Sequence, residues 1–366
     1  MRTMILQTKE QGTGHKIYLD ILRVIATLFV ICVHTVSLAA TMVSPQCTEY
    51  YILEILNFIF LSCNLLFVMI SGALLLSVRS ERCDTFFAKR FVKVLVPMVI
   101  YYILYVCAKE GIVWLYPDHW LSMLRRILTG APVEAPHFWL VYVLLLLYVL
   151  TPFLRWIVQH IPDAVFSGVI AVVFLVNALD TYLPAAGIAS PFSPVVDSFA
   201  GVFLLGYFLA GAHSRRLENL LILGGVVSSG ISCYLILYTV DYGNYIYQNA
   251  PTMMFFASAI FLAVKRLAGS RTKEHFFIRL TSRYSYSILL IHWGMLHFVT
   301  KQLLHVDVLY GGIVGGCLLM ISVTFLLSLA GGMILDHTLI WLILFLLKKF
   351  VYSVRKLRSE QHFRGV

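Results

Sequence analysis

Charge is what this sequence has least of. Only 13% of its 366 residues are Asp, Glu, Lys or Arg, about half the share in a soluble domain. The apolar set from Ala to Cys makes up 60%, and mean hydropathy is +0.85. A soluble protein has too little interior to hide that much apolar surface. A soluble globular enzyme, a disordered chain and a disulfide-rich secreted module are therefore excluded. None of the seven cysteines forms C-x-x-C and most sit in apolar runs, so they read as small hydrophobes without a disulfide or metal framework. H-E-x-x-H, G-x-x-x-x-G-K-[ST] and G-x-S-x-G are absent too. The carboxylates read as intramembrane are few: Asp20, Glu54, Asp180 and Asp336, all near the ends of spans. A proton- or sodium-coupled transporter buries carboxylates near the midplane and shows inverted repeats or broken helices, so their lack weighs against that class. The polar N-terminus has no signal-peptide pattern, and the first apolar run is expected to stay as a signal anchor.

What is present is a series of long apolar runs, at 18–42, 52–77, 91–108, 138–158, 164–183, 196–212, 219–239, 250–267, 284–304 and 309–332. A helical span needs about 20 apolar residues. The runs are continuous rather than alternating, which excludes barrel strands of about ten residues. The chain reads as an all-α polytopic membrane protein, about ten transmembrane helices in one bundle. A further stretch, 338–352, ends in basic residues and reads as an interfacial helix. With the N-terminus inside, inner segments carry 23 Lys and Arg, outer segments four, and Arg23 lies within the first run. This asymmetry sets both termini in the cytoplasm. It also accounts for the net charge of +10 without nucleic acid. The expected division is a cytoplasmic segment 1–16, a membrane domain 17–332 and a C-terminal interfacial helix with basic tail, 333–366; the longest outer loop runs from about 109 to 137.

Ionisable groups in the hydrocarbon layer are costly and mark sites. Arg23 and His34 in the first run are eleven residues apart, about 16 Å along a helix and near one face. Arg23 reads either as snorkelling to the inner interface with Asp20 as partner or as a site cation; His34 reads either as a satisfied bundle histidine or as a catalyst. Asn57 and Asn64 share a face and line an interior seam, and Ser71-Gly72 allows close helix approach. Lys89, Arg90 and Lys93 stand at the inner end of the third run, as topology markers or as a phosphate clamp with Arg90 and Lys93 on one helix side. His137, Trp139 and Tyr142 stand at the outer end of the fourth run, as interfacial anchors or as a sugar platform. His292 falls near mid-membrane and His297 further out.

The ordered set DILRVIATLFVICVH, LFVMISGALLL, KRFVKVLVP, HFWLVYVLLLLYVLTPFL and YSILLIH resembles the acyltransferase-3 family of bacterial inner-membrane acyltransferases, from about residue 17 to 332. Among its members the chain is most similar to the small ones that O-acetylate enterobacterial common antigen sugars; a type tied to surface poly-N-acetylglucosamine is also small. The resemblance implies transfer of an acyl group, usually acetyl from cytoplasmic acetyl-CoA, to a sugar hydroxyl of an exported or lipid-linked glycan. Carried onto this chain, the Arg-x10-His motif is Arg23 and His34, and the ninth-span histidine is His292. The family's R-x-x-R is Arg90 and Lys93 here; lysine keeps the charge but loses the bidentate fork. A positioned imidazole, with unperturbed pKa about 6.5, suits removal of a hydroxyl proton, and an Asn amide or second histidine suits the oxyanion.

The expected sites are thus His34 and His292 as catalytic residues, Arg23, Arg90 and Lys93 toward acyl-CoA, and Asn57, His137, Trp139 and Tyr142 toward the acceptor. The expected partners are acyl-CoA as donor substrate, a glycan or lipid-linked saccharide and the bilayer, with no permanently bound cofactor, no metal and no nucleic acid; homo-oligomerisation is left open. The expected location is the bacterial inner membrane. The competing class is a polysaccharide or lipid exporter or flippase of the envelope.

Overall fold

A computed structural model describes residues 16–45, 47–78, 81–111, 116–130, 134–268 and 275–349. The N-terminal segment before Lys16, part of the 109–137 loop and the basic tail from 350 onward lie outside the described residues. The helices in chain order are α1 (Ile17–Ala40), α2 (Thr48–Leu75), α3 (Cys83–Arg90), α4 (Val96–Glu110), α5 (Pro117–Thr129), α6 (Trp139–His160), α7 (Asp163–Tyr182), α8 (Ser193–Val196), α9 (Ala200–Ala210), α10 (Arg215–Tyr238), α11 (Gly243–Ile246), α12 (Pro251–Ala268), α13 (Phe276–Gly294) and α14 (Ile313–Leu335). No strand occurs among the described residues. The protein is an all-α polytopic membrane protein: eight helical stretches among the described residues are long and apolar enough to cross a bilayer.

The two remaining expected spans are helical but different in kind. The run at 196–212 yields α9, only 11 residues long, because Phe199 in the left-handed region and Gly211 in extended backbone bound it. The run at 284–304 lies in α13 and the π-helical segment that continues it, Met295–Leu303, whose ends carry Arg279, Arg283 and Lys301. Of the stretch at 338–352, residues 338–349 are described and do not stand apart as an interfacial helix: α14 continues through a π segment, Asp336–Ile340, and stays helical to Lys349. No Gly or Pro interrupts 333–349, so nothing local stops it.

The sequence reads as one bundle, whereas the described helices pack as two compact units. Among the described residues, the first unit takes in 16–33, 43–81 and 150–283, and the second 34–42, 82–149 and 284–349. In the first unit α2 and α9 meet backbone to backbone. A Cβ on Gly72 would overlap the Phe203 carbonyl, and one on Gly206 would overlap the Met69 backbone. The Ser71-Gly72 pair therefore serves close packing, as small residues do between membrane helices. Buried Arg155 donates from Nε and Nη2 to the Leu75 carbonyl at 3.1 and 2.9 Å, satisfying an end group of α2 that has no intrahelical partner.

In the second unit Met98, Tyr101, Tyr102, Tyr105 and Val106 of α4 pack with Phe138, Val141, Leu290 and Ile291. Gly331 and Gly332 of α14 let α13 approach closely. A Cβ on Gly332 would press on Ser287, and one on Gly331 on Ile291 and Met295. Ser287 also meets the Asp336 carboxylate at 2.8 Å. Glu134 accepts from Tyr102 Oη at 2.5 Å and pairs with Arg126, which fastens the start of the His137 turn to α4 and α5.

Candidate active site

Three histidines gather in the second unit. His34 comes from the C-terminal part of α1, His137 from the 3-10 turn Pro136–Phe138 and His292 from α13. Pro136 opens that turn, its fixed φ suiting the first helical position, and His137 and Phe138 turn inward. His292 is 0% exposed and His137 7%; His34 is half-buried. The His34 ring stacks on His292 with centroids 5.3 Å apart, and His137 meets His292 edge-on at 4.9 Å. Trp293 closes the group, 5.0 Å from His34, 5.8 Å from His137 and 4.2 Å from His297.

Backbone carbonyls fix two of the tautomers. A carbonyl only accepts, so a neutral imidazole nitrogen facing one must carry the hydrogen. His292 Nδ1 lies 2.7 Å from the Leu289 carbonyl and 3.2 Å from that of Ile288. It therefore donates, and Nε2 carries the lone pair. His137 Nε2 lies 3.1 Å from the Leu290 carbonyl, so its lone pair is on Nδ1. Both lone-pair nitrogens are buried and make no hydrogen bond among the described residues. His34 likewise shows ring contacts and no hydrogen bond among the described residues.

Helix α13 is shaped for this arrangement. The Tyr105 hydroxyl stands between the two ends of one helical turn, donating to the Leu290 carbonyl at 2.9 Å and accepting from the Gly294 amide at 2.9 Å. Insertion of a side chain into the helical ladder bends a helix, and here the π segment begins at the next residue, Met295. Such π turns cluster at functional sites. The Leu290 carbonyl thus serves both Tyr105 and His137, which ties the His137 ring to the helix that carries His292. A Cβ at Gly294 would press within 3.1 Å of the Tyr105 ring, so a larger residue there must shift that ring.

The other expected residues lie elsewhere. Trp139 is 39% exposed, as an interfacial anchor is. Tyr142 donates its hydroxyl to the Ile127 carbonyl at 2.8 Å and covers Gly130. Asn57 belongs to the first unit and donates to the Tyr247 hydroxyl at 3.3 Å. Arg23, also in the first unit, pairs with Asp20 at 2.8 Å and donates to Ser282 at 2.9 Å. The i, i+3 expectation for Arg90 and Lys93 needs correction: a π segment spans Phe91–Leu95, and its wider turn means that three residues no longer nearly complete one turn. Arg90 is half-buried over the Phe86 ring at 5.6 Å, while Lys93 is exposed.

Reasoning from sequence missed Trp293 and Tyr105. Trp293 directly follows His292, a signal that was there to be read; Tyr105 is one of three tyrosines in YYILY and carries none. No group of three His, Cys, Asp or Glu side chains among the described residues has the disposition of a metal site. The acyltransferase-3 family model, described as an acyltransferase domain, matches residues 16–335. No curated protein and no solved structure matches the chain.

Proposed function

The chain belongs to the acyltransferase-3 family, and on that premise we propose that it moves an acyl group, acetyl first among them, from cytoplasmic acyl-CoA to a hydroxyl of a cell-surface or lipid-linked glycan. It is a multi-pass membrane acyltransferase; the bacterial inner membrane, the donor and the acceptor are our reading. The observation that carries it is the histidine cluster, in which the rings of His34, His137 and His292 meet and backbone carbonyls orient His137 and His292 so that one buried nitrogen of each is left without a hydrogen bond among the described residues.

A sugar hydroxyl is a poor nucleophile at neutral pH and needs a base at the moment of attack. In the proposed step the His34 imidazole takes the hydroxyl proton as the oxygen bonds to the thioester carbonyl carbon. The C–S bond then breaks, and the CoA thiolate leaves with the proton from the imidazolium. His34 has this role because it is the half-buried member, and His292 offers its fixed Nε2 lone pair beside it. The Trp293 indole N–H, a donor only, suits the developing oxyanion.

Arg90 and Lys93 stand at the end that the charge count assigns to the cytoplasm, where CoA phosphates arrive. Arg23 precedes His34 on α1 and is already paired with Asp20, so its contribution to the donor is weaker than theirs. Mass spectrometry of envelope glycans from deletion and wild-type cells tests the reading. Loss of an acyl mass on deletion supports it, and identical glycans refute it.

A further inference from the structure

The first unit holds an open cavity of about 590 Å3 formed by the end of α7, the α8 region, α11 and the turn that leads into α12. That volume falls within the range of small-molecule sites, about 300–1,000 Å3. Its lining contains Asp180, Asp197, Asn249, Tyr245 and Tyr247, and no Lys, Arg or His. Such a wall repels phosphate and carboxylate ligands, so it is not a place for CoA.

The polar groups are held with acceptor capacity to spare. Ser190 and Ser193 both donate to Asp180 Oδ1, the second at 2.7 Å, and Oδ2 makes no hydrogen bond among the described residues. Asn249 is 3% exposed; its Nδ2 donates to the Val196 carbonyl at 2.8 Å, and its Oδ1 has no partner among the described residues. An unmet buried acceptor of this kind costs free energy until a donor reaches it. Partial desolvation and the neighbouring Asp180 carboxylate hold the largely exposed Asp197 above the usual carboxylate range. The aromatic side is equally fixed. The Tyr247 hydroxyl donates to buried Glu54 at 3.0 Å and accepts from Asn57, and Tyr245 stacks at 15° on Tyr182.

Carboxylate and amide oxygens beside fixed tyrosine rings match one chemistry: a ring with hydroxyl donors at its edge and C–H groups on its face. We propose that this cavity binds a pyranose ring of the acceptor glycan, with Asp180, Asp197 and Asn249 accepting from its hydroxyls and Tyr245 and Tyr247 against its face; this rests on the acyl-transfer reading above. Asn57, expected on the acceptor side, contributes by holding Tyr247. The chain segments 183–199 and 239–250 that form the cavity contain no Lys or Arg, as expected of outer segments.

The test uses full-length protein in lipid nanodiscs, free of sugar detergents. The probes are methyl α-glucopyranoside, methyl α-galactopyranoside and N-acetylglucosamine, read by saturation-transfer NMR. At least one probe is expected to give transfer that falls roughly fivefold or more in Asp197→Ala and in Tyr245→Ala, the loss of about one net hydrogen bond or packing contact. Both positions are at least partly exposed, so the fold tolerates them, and unchanged acyl-CoA binding by calorimetry verifies this. Absence of transfer from every probe overturns the proposal, as does transfer that both variants leave intact. Wild-type glycan acylation in cells carrying Tyr245→Ala also overturns it while leaving the acyl-transfer reading in place. Probe binding lost in the variants, in a protein whose deletion changes no glycan, supports the cavity and retires acyl transfer instead.

Discussion

Replacing His292 by Asn and by Gln separates a chemical role from a structural one. The imidazole Nδ1–H donates chiefly to the Leu289 carbonyl and also faces that of Ile288, and the ring presents one lone pair, on Nε2. Asparagine carries its amide nitrogen near the position of Nδ1 and restores that bond, leaving nothing at Nε2. Glutamine reaches the Nε2 position with an amide, which hydrogen-bonds without taking a proton. If His292 only braces the helix, its loss costs one net hydrogen bond, about 0.5–1.5 kcal/mol, and Asn recovers it. If Nε2 takes part in proton handling, both variants lose the general-base contribution, about 100- to 10,000-fold in rate. That equals about 2.7–5.4 kcal/mol of barrier at 1.36 kcal/mol per tenfold, well clear of the structural figure. The assay is release of CoA thiol by purified protein given acyl-CoA and envelope glycan, with acyl-CoA binding measured alongside to show an intact fold. Both variants are expected to lose at least 100-fold in turnover. An Asn variant within tenfold of wild type refutes the proton-handling role.

Three further outcomes are expected. Neutralising Arg90 and Lys93 together to Gln weakens acyl-CoA binding about tenfold by calorimetry, most of it from half-buried Arg90 because an exposed charge such as Lys93 contributes less; unchanged affinity leaves them as topology markers. Gly206→Leu drives a side chain into the Met69 backbone and lowers the thermal unfolding midpoint by an amount corresponding to about 1–3 kcal/mol or more; an unchanged midpoint contradicts the tight α2–α9 packing. A topology reporter fused after residue 355 reads cytoplasmic, and a periplasmic reading contradicts the charge-derived orientation.

Apolar run length made the helical membrane class and most helix positions legible, since one residue type after another of high hydropathy has few other uses. The bend-forming elements were not legible. An extra residue in a π turn leaves hydropathy unchanged, so 91–95 and 295–303 read as ordinary helix, 336–340 read as the break before a separate interfacial helix, and the Arg90 and Lys93 geometry was misjudged for that reason. His34 and His292 stood out because imidazole in an apolar run is rare. His137 was placed on the acceptor side with Trp139 and Tyr142 because aromatic rings beside a histidine suit a sugar platform; the 3-10 turn at Pro136 sends His137 inward while Trp139 faces out. The carbonyls that fix both tautomers belong to Leu289 and Leu290, and a backbone group leaves no mark in the identity of its residue. Glu54 and Asn57 read as polar residues of one span; their shared partner Tyr247 lies 190 residues from Asn57, beyond any local pattern.

The central claim is that His34 takes a proton during acyl transfer to a glycan, and His34→Gln tests it most directly. Glutamine keeps a polar side chain of similar reach and cannot accept a proton near neutral pH. Envelope glycans from cells expressing this variant at wild-type level are compared by mass spectrometry with those of wild-type and deletion cells. The expected glycans match those of the deletion, from a protein that still binds acyl-CoA. Near-normal acylation in the variant contradicts it and makes His34 a packing residue of the ring cluster.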